Sequence, residues 1–170
     1  MILNQDSIMD KNLIYNYADI PEKHLYSYSV FASFSGEMKV FYPPMGSQRI
    51  PGTHVPYPFE LDDDENNYMN ANVYTSVLGK GEYKTLPAVK GFATLTLDVV
   101  VNPAALIDNN IQVRFNPIFS LQQYGIRIEL LDGFIGNKLR VNIFNNNPYH
   151  GFSLKTGDEL GFLQFETLEL

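Results

Sequence analysis

Asp132 lies in the segment Asp132-Gly133-Phe134-Ile135-Gly136-Asn137, where a carboxylate could act as a general base or hold a metal ion. Aspartate before glycine is also ordinary turn chemistry, because its side chain accepts hydrogen bonds from nearby backbone amides. The run Asp62-Asp63-Asp64-Glu65 offers hard oxygen ligands for Ca²⁺, but it lacks the ligand spacing and the sixth-position glycine of an EF-hand loop. Adjacent carboxylates repel, so the run reads as a solvated acidic loop. His24, His54 and His150 share no ligand spacing such as i, i+4, and no zinc site is expected from them. No Gly-x-Ser-x-Gly elbow is present, and Gly79-Lys80-Gly81-Glu82 lacks the strand-to-helix context of a phosphate loop; it reads as a hairpin turn. With no cysteine there is no thiol nucleophile, thiolate metal site or disulfide framework. The turn reading is the expected one for Asp132, so no catalytic residue is expected and Asp132 stands only as a vestigial candidate; neither a metal nor a cofactor is expected.

A second kind of chemistry is recognition by aromatic contact. The chain holds 11 Tyr and 12 Phe without Trp. Tyr57 and Phe59 sit in the proline-rich segment His54-Val55-Pro56-Tyr57-Pro58-Phe59, where docking on another chain is a natural use for them. The Tyr-rich stretch from Tyr15 to Tyr42 has the blander alternative of filling a core.

The elements that must position these residues are strands. Tyr26, Tyr28, Val30, Ala32 and Phe34 alternate with Ser27, Ser29, Phe31 and Ser33, which predicts a half-buried strand. Ser35-Gly36 then reads as a turn, with a second strand through Met38, Val40 and Tyr42. Five of the ten prolines fall between Pro43 and Pro58, which excludes a central strand there. Together with the acidic run they predict a long loop over 43–67. Ala93, Leu95, Leu97, Val99 and Val101 share one face of a strong strand, and Ile111, Val113 and Phe115 give a short one. Ile126, Ile128 and Leu130 enter a hairpin around Asp132, and Leu139, Val141 and Ile143 leave it. Pairing Ile128 with Val141 sets Glu129 against Arg140 on the outer face, and a slip of one residue inverts both faces. The last strands are Phe152 to Leu154 and Leu160 to Leu168, joined by Lys155-Thr156-Gly157-Asp158. Residues 1–25 show no sustained period and read as an N-terminal arm; residues 26–170 read as a single domain. The fold class is all-β, a jelly-roll barrel or sandwich of about eight to ten short strands.

Residues 90–168 resemble the C-terminal part of the trimeric dUTPase family, a closed β-barrel with jelly-roll character. The resemblance rests on Leu131-Asp132 before a turn ending in Gly136, on Val141-Asn142-Ile143-Phe144-Asn145, and on Phe152-Ser153-Leu154-Lys155-Thr156-Gly157-Asp158-Glu159-Leu160 with its closing strand. It implies a homotrimer and makes Asp132 the counterpart of the family's water-activating aspartate. Trimeric domains of the complement and tumour-necrosis-factor type share the Gly-Asp turn and closing strand. The chain departs from the dUTPase pattern where phosphate is bound. In Pro117-Ile118-Phe119-Ser120-Leu121, Ile118 stands at the family's arginine position and Phe119 at its serine. An aliphatic group offers no donor to a phosphate, whereas arginine offers a charged fork. Phe162 stands where the family has a glutamine, and no glycine-rich closing arm is read before Leu170.

Composition bounds the remaining choices. With 170 residues, 45% of them hydrophobic, the chain can bury a sizeable core. A formal charge of −7 disfavours nucleic acid or an anionic membrane as partner. No basic, apolar leader is read at the start, and no run of 18 apolar residues occurs, so neither a signal peptide nor a membrane span is expected. The expectation is a non-enzymatic structural or assembly protein. A trimeric component of a virus or phage particle contacting other structural proteins fits best, located in the virion or otherwise soluble. Two alternatives stand beside it: a divergent dUTPase-like nucleotide hydrolase that keeps Asp132, and a carbohydrate- or receptor-binding β-domain.

Overall fold

A computed structural model describes residues 1–42, 72–88, 91–131 and 137–168. The strands are β1 (Leu25–Tyr26), β2 (Ser29–Tyr42), β3 (Asn72–Val77), β4 (Tyr83–Leu86), β5 (Gly91–Val100), β6 (Ile111–Pro117), β7 (Ile126–Leu130), β8 (Lys138–Asn145), β9 (Phe152–Lys155) and β10 (Glu159–Thr167). Three six-residue helices accompany them: α1 (Gln5–Asp10), α2 (Pro103–Asp108) and α3 (Phe119–Tyr124). The main sheet runs β6-β10-β2-β5-β8-β7, with β1 and β3 pairing on β2 and with β4-β9 as a separate ladder. The outer strands β6 and β7 meet, so the sheet curls into a nearly closed all-β barrel of the dUTPase type.

The alternating pattern of β5 explains its place at the centre. Ala93, Leu95, Leu97 and Val99 are all buried on the inner face, and Thr94 and Thr96 on the outer face are buried too. Thr94 lies between Lys39 and Asn142 on the neighbouring strands and donates to Asn142 Oδ1 at 2.8 Å, and the N-terminal segment ties onto the far end of the strand. The Asn16 amide donates to Asp98 O at 2.8 Å, and Val100 N donates to Asn16 Oδ1 at 2.9 Å.

Residues 1–25 are accordingly not an arm. Leu3, Ile8, Leu13 and Ile14 are buried in the common core. Leu3 N donates to Phe165 O at 2.8 Å, and Tyr15 N to Val100 O at 2.8 Å, so the segment adds bridges to both β10 and β5. Asn4 caps α1 by accepting from Ser7 N at 2.9 Å. A helix of one and a half turns followed by isolated bridges has no period, and that is why the sequence pattern looked like an arm.

Two further expectations are corrected. Ser35-Gly36 is not a turn: β2 runs straight through it as a bulge, its register on β5 shifting between Phe34 and Met38. Gly36 has φ +98°, and a Cβ there would lie 2.6 Å from Thr156 Oγ1. The bulge exists because the 155–158 turn docks on it, with Gly157 N donating to Phe34 O and Phe34 N to Asp158 O, each at 2.8 Å. Tyr26 and Tyr28, placed by alternation on a half-buried face, are instead 47% and 57% exposed, because the chain reverses between β1 and β2.

The β7-β8 hairpin keeps its faces but not its register. Ile126, Ile128, Leu139, Val141 and Ile143 are all buried as expected. Ile128, however, pairs with Ile143 rather than Val141, Leu130 with Val141, and Glu129 with Asn142 rather than Arg140. A slip of two residues leaves every side chain on its own face, so alternation is blind to it. Asn145 sits opposite Ile126 in the observed register, and it is fully buried. Its amide donates to Leu86 O, Pro87 O and His150 O at 3.0–3.1 Å, and its Oδ1 accepts from Asn147 N at 3.0 Å. Both the amide nitrogen and the oxygen of that side chain are engaged, as burial of a polar group requires, and the β7–β8 register is tied separately by Asn146 N donating to Gly125 O at 2.9 Å.

Candidate functional site

The segment between β6 and β7 builds a cleft at the seam of the barrel. β6 ends at Pro117, and Ile118 then starts α3 without a side-chain cap. Ile118 N is anchored on Leu160 O at 3.0 Å, while Leu121 turns into the core. Gly125 ends the helix with φ +95°, a left-handed conformation that suits glycine. A Cβ at Gly125 would lie 3.1 Å from Asn147 N, so this close approach also demands glycine. Asn146 N donates to Gly125 O at 2.9 Å and Asn147 Nδ2 to Tyr124 O at 2.7 Å, which locks the exit of α3 onto the end of β8.

The resulting cleft has a volume of about 530 Å³ and is open to solvent. Pro117 contributes apolar lining, and Gln122, Arg127, Glu129 and Asn146 contribute polar groups. Arg127 Nε pairs with Glu129 Oε1 at 3.3 Å, and the guanidinium carbon lies 4.5 Å from the centre of the Phe144 ring. The cleft therefore combines one cation paired with one carboxylate, amide donors and acceptors, and the apolar edge at Pro117, a mixture that suits a polar small molecule.

The residues singled out in the sequence fall in different places. Asp132, Tyr57 and Phe59 lie outside the described residues, as do His54 and the loop 43–67. The strand ends that flank Asp132 are fixed: Leu131 N donates to Arg140 O and Val101 N to Asn137 O, each at 2.9 Å. Ile118 is half-buried and Phe119 is 70% exposed, so the positions that would carry a phosphate fork and hydroxyl present hydrocarbon. Phe162 joins an outer-face aromatic cluster, 4.7 Å from Phe31 and 5.4 Å from Tyr26 between ring centres, and does not line the cleft.

A second polar grouping lies under the N-terminal segment. His24 is buried, packs its ring edge on Phe31 at 5.4 Å, and sets Nε2 3.9 Å from Glu159 Oε1. Asp98 Oδ1 accepts from Ser33 N at 2.9 Å. Burial raises the Asp98 carboxyl above its ordinary range; the Ser33 amide and the nearby His24 offset part of that rise. Among the described residues no group of three His, Asp or Glu side chains could hold a metal ion, and no helix is long and apolar enough to cross a membrane.

Sequence reasoning missed the cleft residues. Arg127 is an outward charge between Ile126 and Ile128, and Asn145-Asn146-Asn147 is a polar run; neither carries a motif. Their role comes from the left-handed turn at Gly125, which brings the two segments together.

The fold defines a class, the dUTPase-like β-barrel, and comparison with known proteins agrees on that architecture. The structure is similar to a crystal structure of 2'-deoxycytidine 5'-triphosphate deaminase from Agrobacterium tumefaciens, with a TM-score of 0.58 and 13% sequence identity. The likeness covers 96% of this chain and 47% of that one, so the chain spans about half the length of the structure it matches. No family model matches the sequence, and no curated protein matches it.

Proposed function

We propose that this chain is a divergent, dUTPase-like nucleotide hydrolase that works as a homo-oligomer, a trimer by the resemblance of residues 90–168, and binds a pyrimidine nucleoside triphosphate in the cleft between α3 and β7. The observation that carries this reading is the likeness of nearly the whole chain to a deoxynucleoside triphosphate deaminase. Fold alone does not carry catalysis, so the reading also leans on the cleft, whose polar and apolar lining suits a nucleotide. Asp132 is the residue proposed to activate water, and phosphate binding would use backbone amides and cleft side chains in place of the cation missing at Ile118. The test is incubation of purified protein with dUTP or dCTP and Mg²⁺, following pyrophosphate, phosphate and ammonia. Turnover that Asp132→Asn abolishes supports the reading. A rate equal to the buffer blank for both nucleotides overturns it.

The second reading is a non-enzymatic assembly protein acting through contacts with copies of itself or with other structural proteins. It is favoured by Phe119, 70% exposed at the position of a lost phosphate ligand, and by Tyr83 and Tyr149, 69% and 83% exposed. Nothing in the described residues or the comparisons bears on a virus or phage particle. Self-association that survives in wild type but falls in Phe119→Ser, with no turnover in either, would favour this second reading.

A further inference from the structure

We infer that Arg127 is the anion-binding residue of the cleft, taking the phosphate chain of a nucleoside triphosphate; this rests on the nucleotide reading above. Among the described residues that line the cleft, Arg127 is the only cation. The protein as a whole carries a formal charge of −7, so a polyphosphate needs a local positive centre to approach it.

The side chain is held for that task from two sides. Phe144 lies beneath the guanidinium at 4.5 Å, and Phe92 stacks on Phe144 at 4.8 Å with 30° between the rings. A cation over an aromatic face is attracted to it, so the ring pair holds the guanidinium near the strand surface. Glu129 engages the Nε edge at 3.3 Å. Among the described residues no hydrogen bond occupies the terminal amino groups, so the edge that binds phosphate in bidentate fashion remains open. Both side chains of the Arg127–Glu129 pair are more than half exposed, and such a pair holds weakly against a multiply charged competitor. Gln122 and Asn146 bring amide donors to the same cleft, with Pro117 beside them.

The arrangement also differs from what a helix N-terminus would offer. α3 has only six residues and an exposed phenylalanine at its start, so it presents neither a charged fork nor a strong dipole. The positive charge comes instead from the strand that leaves the helix, nine positions after Ile118.

The experiment measures binding of inorganic triphosphate and of dUTP by titration calorimetry on the full chain, wild type and variants. Arg127→Ala should weaken both ligands at least tenfold, Arg127→Lys should fall between, and added salt should weaken wild type more than Arg127→Ala. Phe144→Leu, which leaves the net charge unchanged, should weaken inorganic triphosphate by removing the platform. Arg114→Ala is the control: Arg114 is equally exposed and pairs with Glu166 at 3.1 Å, outside the cleft. Tight dUTP binding that is equal in wild type and Arg127→Ala overturns the inference and leaves the nucleotide reading standing. Equal losses in Arg127→Ala and Arg114→Ala also overturn it, since they report net charge alone. No binding of either ligand by wild type at millimolar concentration overturns both.

Discussion

The N-terminal segment gives the sharpest test of the fold, because its side chains are either core or ornament. Ile8 has no exposed surface, and it belongs to the same core cluster as Leu95 and Phe165. Ile8→Ala removes buried hydrocarbon from a site held by the bridges at Ile2 and Ile14, which restrict collapse around the cavity. Such a truncation costs about 2–5 kcal/mol. For a chain of 170 residues that corresponds to a drop in Tm of roughly 4–20 °C at about 2–4 °C per kcal/mol. Met9 is the internal control, since it is 54% exposed on the same helix and Met9→Ala should change stability by at most about 0.5 kcal/mol. Deleting residues 1–14 removes Leu3, Ile8, Leu13 and Ile14 together, about 8–20 kcal/mol by the same figure. That is comparable with or above the whole stability of a typical domain, about 5–15 kcal/mol, so the truncated chain should not fold. Thermal melts followed by far-ultraviolet circular dichroism and Tyr fluorescence decide the matter. An Ile8→Ala melt within 2 °C of wild type, or a cooperatively folding chain without residues 1–14, would falsify the placement of this segment in the core.

Asn145→Asp should destabilise by at least about 3 kcal/mol, because a carboxylate would face three carbonyl oxygens where the amide donates; urea unfolding checks it, and a loss below 1 kcal/mol would contradict the network. For Asp98 the sign follows from its raised carboxyl. Its protonated form favours the fold below the ordinary value of 3.8, and that contribution is lost as the pH rises through the raised folded-state value. Asp98→Asn keeps an oxygen for Ser33 N but removes the ionisation, so the variant should gain stability relative to wild type between pH 4 and 7; a relative loss over that range contradicts the shift. Arg127→Ala should leave Tm nearly unchanged while weakening triphosphate, since an exposed pair contributes about 0–1 kcal/mol.

How much of this was legible depended on whether one face of an element alone decided it. The inner faces of β5 and β8 could be read from alternation, because Leu95, Leu97, Val141 and Ile143 recur at period two. The register of β7 on β8 could not, because Ile143 and Val141 serve equally well opposite Ile128, and the bonds that tie the start of β7 to the end of β8, Asn146 N to Gly125 O and Asn147 Nδ2 to Tyr124 O, leave no mark on the alternation. The bulge at Gly36 looked like a turn because the residues that shape it, Thr156 to Asp158, are about 120 positions away. The candidate site was legible only in what it lacks, at Ile118 and Phe119. Arg127 gave no signal until Gly125 turned the chain and set it beside Asn146.

The central claim is that the seam between α3 and β7 takes a nucleoside triphosphate. The most direct measurement is an amide chemical-shift titration of the isotope-labelled protein with dUTP at fixed ionic strength. Saturable shifts centred on Gln122, Gly125, Arg127 and Asn146, with Tyr83 and Tyr149 unmoved, are the expected result. Shifts confined to surfaces away from Gly125–Glu129, or none at millimolar dUTP, would contradict it.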